Sequence, residues 1–254
     1  MTHDLTKLLK DWPFVNGQLA VRLIEGDDGN EKLQIRLDLG LLQLEAQGRP
    51  DGSRPNGFES LLDYYESKLE EHTYEGGDPE QFQLDEDACR ALREEASQYY
   101  HRYVALYVLE DLEGVLRDTS RNLRALEFME RHARSEEDRE TLSQFRPYLL
   151  MMRARALAGL AIRDREPRAA ILAIDEALDR IKNHFEEAGE PELFEDSSEA
   201  RLLEGMKESL VPKLPVSPES ELRDRLNKAI EHENYELAAI LRDELRAMGS
   251  KPGA

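Results

Sequence analysis

Apolar and polar positions alternate near the N-terminus, and further along the chain the period lengthens. Leu33, Ile35, Leu37 and Leu39 are separated by Lys32, Gln34, Arg36 and Asp38. A period of two predicts a strand with one face in a core. Upstream, Leu19, Val21 and Leu23 alternate less cleanly with Ala20, Arg22 and Ile24. The turn formers Gly26-Asp27-Asp28-Gly29-Asn30 separate the two runs, so 14–47 reads as a β-hairpin. After Gly40 the apolar set shifts to Leu42, Leu44 and Ala46. A change of face at a glycine predicts a bulge or bend, hence a long second strand kinked near Gly40.

Two successive turns come next, Arg49-Pro50-Asp51-Gly52 and Arg54-Pro55-Asn56-Gly57. Proline presets φ, Asp or Asn tolerates the next position and Gly closes each turn. They predict a stiff corner between strand and helix. The competing reading is a small basic clip for an anion, with Arg49 and Arg54 at its mouth.

From Phe58 the spacing becomes helical. A helix is expected over 97–114, with Tyr99, Tyr103 and Leu106 on successive turns, and another over 115–134. On the second, Arg117, Arg121, Arg124 and Arg131 share one arc, opposite Leu116, Leu123, Leu126, Met129 and Ala133. Such a stripe is either solvated or meets a partner. Residues 148–184 predict two helices broken at Arg165-Glu166-Pro167, with Ala154, Ala158, Ala161, Ala170 and Ala177 allowing close approach. This pair resembles a degenerate tetratricopeptide repeat, with 97–134 as a second copy. Gly189-Glu190-Pro191 is expected to end the helical domain. A short helix at 198–210 and a proline-rich run, Val211 to Pro218, then form a linker.

The last segment, 219–248, predicts an antiparallel helical hairpin. Leu222, Leu226, Ala229 and Ile230 stripe its first helix; Tyr235, Ala238, Leu241 and Leu245 stripe the second. Thirty residues rarely form a core alone, so the seam invites a second hairpin. The fold class is therefore α+β and mostly α. The regions are 1–57 (β-hairpin), 58–190 (helical domain), 191–218 (linker) and 219–248 (helical hairpin).

Composition narrows the function. The net charge of −20 over 254 residues opposes direct contact with nucleic acid or anionic membranes. The charge is uneven. Residues 59–95 carry 13 acids and 3 bases, whereas 115–168 carry 12 arginines and 9 acids. These segments are expected to pair; otherwise Arg117, Arg121 and Arg124, with Arg49 and Arg54, are the candidate phosphate contacts. Cys89 is the single cysteine, and the six histidines lack metal-ligand spacing. No glycine-rich phosphate loop or nucleophile elbow is present in the sequence. No enzyme activity, metal or cofactor is expected. With neither a signal peptide nor a long apolar run, a cytoplasmic, bacterial-type protein is expected.

The run Tyr235-Glu236-Leu237-Ala238-Ala239-Ile240-Leu241-Arg242-Asp243-Glu244-Leu245, with Leu222, Leu226, Ala229, Ile230 and Glu233 before it, resembles the UVR motif of the excision-repair proteins UvrB and UvrC. The resemblance implies a coiled-coil-like hairpin that pairs with another such hairpin. Its partner would be another UVR-motif protein or a second copy of this chain. The motif also occurs in Clp-type ATPases and in an activator of a protein arginine kinase, so the resemblance implies docking without fixing a pathway. Residues 1–210 resemble the bodies of other bacterial proteins ending in this motif. The readings are a non-catalytic adaptor, an accessory of nucleotide excision repair facing DNA, or a regulator of a Clp or arginine-kinase system.

Overall fold

The computed structural model describes residues 4–141 and 143–211, together with Leu226, Ile230 and Arg242. The chain divides into two compact units, Met1–Leu210 and Val211–Ala254. The first is mostly helical, with a small antiparallel sheet.

That sheet has strands β1 (Val21–Glu25), β2 (Glu31–Arg36) and β3 (Leu41–Glu45) in the order β1-β2-β3. The expected long kinked strand is in fact two strands. At Gly40 the chain reverses completely: the Leu37 amide donates to the Gly40 carbonyl at 2.9 Å. Leu33 then pairs with Leu44 and Ile35 with Leu42. A two-residue loop joins odd positions to even ones across the ladder, so a reversal shifts the apolar set just as a bulge does. Leu33, Ile35 and Leu44 enter the main core. The other face carries Arg22, Gln34 and Gln43, linked by hydrogen bonds of 2.8 Å. The N-terminal segment, including α1 (Thr6–Asp11), reaches this sheet through Trp12: its carbonyl accepts from Arg36 Nε at 2.7 Å, and its ring lies 4.2 Å from the Arg22 guanidinium.

The longer helices are α2 (Leu61–Tyr74), α3 (Glu86–Val108), α4 (Leu112–His132), α6 (Arg146–Arg163) and α7 (Pro167–Glu187); α5 (Glu136–Thr141) lies between α4 and α6. Side-chain caps define several starts. Ser60 accepts from the Asp63 amide, Asp85 from Ala88 and Asp111 from Gly114.

The break between α3 and α4 comes at Leu109–Asp111, not at Gly114 as the sequence suggested. Glu110 takes the left-handed conformation (φ 60°), and the Asp111 amide returns to the Leu106 carbonyl at 3.0 Å. Gly114 belongs to the first turn of α4, where a Cβ would meet Leu106 Cδ1 at 2.8 Å. Its lack of a side chain lets α4 start close against α3.

Short connections make α3 with α4, and α6 with α7, antiparallel neighbours, and α4 also packs on α6. The small residues Ala158 and Ala170 are fully buried. The chain does not become a linker after Gly189. It continues through α8 (Leu193–Asp196) and α9 (Ser198–Leu210), which packs on α6 and α7. Leu203 and Leu210 are buried in the same core. A second, smaller core joins Leu62, Leu84, Cys89, Leu92, Phe128 and Met129. Among the described residues, no helix is long and apolar enough to cross a membrane.

Candidate functional site

The sequence offers two candidate sites, the C-terminal seam and the arginine group. Of the seam residues, Leu226 and Ile230 are described. Both are helical; Leu226 is half-buried and Ile230 is 50% exposed. Arg242, in the second expected helix, is also helical. Leu222, Ala229, Tyr235, Ala238, Leu241 and Leu245 lie outside the described residues.

The arginines are mostly paired with acids: Arg49 and Arg121 are buried or nearly so, whereas Arg54, Arg124 and Arg131 are exposed. The corner at 49–57 is built as its turn residues require. The Gly52 amide bonds the Arg49 carbonyl at 2.9 Å, and the Gly57 amide bonds the Arg54 carbonyl at 3.1 Å. Gly52, Asn56 and Gly57 all have positive φ, which explains Gly at the close of each turn. Arg49 Nε donates to Glu95 Oε1 at 2.8 Å, and its Nη1 lies 2.8 Å from Asp51 Oδ2. Arg54 pairs with Glu59 at 3.1 Å, both side chains being exposed.

Glu95 is fully buried and is the focus of this region. Besides Arg49, its carboxylate accepts from Arg121 Nη2 and from the amides of Leu61 (2.8 Å) and Leu62 (3.3 Å). These are orphan donors at the N-terminus of α2, so one side chain on α3 caps a second helix and is shared by two arginines. The Arg121 guanidinium lies 4.3 Å from the centre of the Tyr99 ring. Burial pulls its pKa down to about 9, which leaves it charged at neutral pH.

Further along α3, Arg102 forms a buried two-bond pair with Asp118, Nε–Oδ2 2.6 Å and Nη2–Oδ1 2.8 Å. Its Nη1 reaches the carbonyls of Glu45 (3.1 Å) and Gly48 (2.7 Å), fixing the end of β3 to the helices. Arg117 joins Asp118 at 2.9 Å and Gln47 at 2.8 Å. Arg124 bonds Glu66, with Asp63 3.6 Å away.

The basic stripe of α4 is therefore partly internal: Arg121 is buried, Arg117 and Arg124 are paired at the surface, and Arg131 is exposed. Arginines of 115–168 meet acids of 59–95, namely Glu95, Glu66 and Asp63. An anion arriving here would have to displace carboxylates, which at Glu95 are buried.

Sequence reasoning missed Glu95, Arg102 and Asp118. Their signal was available: Glu95 and Arg102 share the face of α3 that carries Leu92, Tyr99 and Leu106. A charge in an apolar stripe signals a buried pair. Cys89 is fully buried, and its thiol is pushed up to about 11, first by burial and then by Asp138. The acids flanking it in sequence are not the main cause. His72 Nε2 lies 3.1 Å from the Asp78 carbonyl. Among the described residues, no three His, Cys, Asp or Glu side chains are grouped to hold a metal ion.

The fold and this inward-facing charge define a mostly helical protein whose body is tied together by buried ion pairs. Residues 220–251 match the family model of the UvrB/uvrC motif, in agreement with the resemblance read from 219–248. No curated protein and no solved structure matches the chain.

Proposed function

We propose that the protein is a non-catalytic adaptor that docks through its C-terminal hairpin. The observation carrying this reading is the UvrB/uvrC motif match over 220–251. A second helical hairpin, from another UVR-motif protein or another copy of this chain, would cover the seam of Leu222, Leu226, Ala229 and Ile230 against Tyr235, Ala238, Leu241 and Leu245. An excision-repair protein of the UvrB or UvrC type is the first partner to try. The arginine group gives the DNA-facing reading no support, since its charges are already met by carboxylates.

The test uses full-length protein with Leu226→Asp or Ala238→Glu. Either substitution places a charge in the seam, at a cost of several kcal/mol if it stays buried. Capture of a UVR-motif partner is expected to disappear in both variants while the helical circular dichroism of the body persists. Unchanged capture rejects the proposal.

A further inference from the structure

A cavity of about 540 Å³ opens between α3, α4 and the start of α6. That volume lies in the range of pockets that hold small molecules. Its walls are mainly apolar and aromatic: Ala96, Tyr100, Tyr103, Leu126, Phe145 and Tyr148. The Tyr100 ring centre lies 5.5 Å from that of Tyr103, nearly perpendicular to it, and 6.1 Å from that of Tyr148.

Three tyrosines thus line one apolar space. Tyr103 is only 1% exposed. Burial, then the neighbouring Tyr148 and Tyr100, raises its phenol well above the ordinary range. Among the described residues, none of these three hydroxyls has a hydrogen-bond partner. Buried phenols normally have one.

Most of the other polar lining groups, the exposed Ser97 excepted, are already engaged. Asn122 Nδ2 donates to the Ala96 carbonyl at 2.9 Å, and Gln144 Nε2 to the Thr141 carbonyl at 2.8 Å. Arg93 is paired with Asp138. Glu199 Oε2 accepts from the hydroxyls of Ser197 and Ser198 at 3.1 Å each. The cavity therefore offers mainly aromatic surface and phenolic groups, with Arg93 paired and Glu199 hydrogen-bonded to two hydroxyls. Burying a ligand charge here would be costly.

We propose that this cavity is a binding site for a neutral, flat aromatic small molecule bearing a hydrogen-bond acceptor, which the Tyr103 hydroxyl donates to.

Nile red is a suitable probe, being neutral, fused-ring and carbonyl-bearing, with fluorescence that rises in apolar surroundings. The full-length protein would be titrated beside two variants. Tyr103→Phe removes one oxygen and keeps the ring. Ser97→Trp places a large side chain at an exposed position on the cavity's lining. Saturable one-to-one binding is expected, weakened roughly 2- to 10-fold by Tyr103→Phe, the range of a single hydrogen bond, and abolished by Ser97→Trp. Circular dichroism checks that both variants fold. Absence of saturable binding overturns the proposal, as does unchanged affinity in either folded variant. Should Ser97→Trp fail to fold, Tyr103→Phe decides alone.

Discussion

Glu95 holds three parts of the chain with one carboxylate: the corner through Arg49, α4 through Arg121 and the first turn of α2 through two amides. Glu95→Ala is expected to destabilise the protein by about 3–5 kcal/mol, because it strands the Arg121 charge and reopens the α2 terminus. Urea unfolding would measure it. The double variant Glu95→Leu with Arg121→Met should recover part of that loss, since no buried charge remains unpaired. A double variant no more stable than Glu95→Ala would mean that the helix cap, not the charge pair, dominates. Cys89 supplies a pH test. The unfolded thiol loses its proton near pH ~8.5, whereas the buried one holds it to about 11. Between these values the folded state binds more protons, so stability falls as pH rises. Cys89→Ala should flatten that slope between about pH 8.5 and 10, below the range where the buried tyrosines begin to contribute. A thiol reagent at neutral pH should label Cys89 only on unfolding.

At the scale of elements, periodicity located most of the secondary structure, including the break at 165–167 and the helix at 198–210. It failed where two structures share one pattern. The parity change at Gly40 fits a bulge and a two-residue reversal equally well, and only pairing distinguishes them. The α3–α4 break was hidden because Glu110, not a glycine, takes the left-handed position. Its visible signal was Asp111 capping Gly114, read instead as a helix end at Gly114. Glu110→Gly should stabilise the protein by roughly 0.5–1 kcal/mol, relief of the Cβ crowding outweighing the added chain entropy. Thermal melting would show the rise. The wheel of α4 placed its arginines correctly but not their surroundings, because burial of a polar face depends on acids brought in from other elements. Between α6 and α7 the small residues do what their spacing suggested. Ala158→Leu should overpack that contact and cost about 1–3 kcal/mol.

At the scale of the molecule, most arginines of the corner and of α4 are met by internal acids, while the excess of acids remains. The net charge of −20 therefore keeps repelling polyanions. The C-terminal motif was legible because its pattern is local, matched within residues 220–251. The Glu95 and Arg102 networks and the tyrosine cavity were not, because each joins side chains distant in sequence. The chain divides at Leu210 and Val211. A 1–210 truncation should accordingly retain the melting transition of the body, and a lost transition would show that the body depends on residues 211–254. The central claim is docking through the hairpin. Its most direct measurement is fluorescence anisotropy of labelled UVR-segment peptides, taken from this chain, UvrB and UvrC, titrated with the full-length protein and its Leu226→Asp variant. The account predicts saturable binding of at least one peptide, weakened at least about tenfold by Leu226→Asp, the effect of 1.4 kcal/mol or more. Binding of none, or equal binding by both proteins, would contradict it.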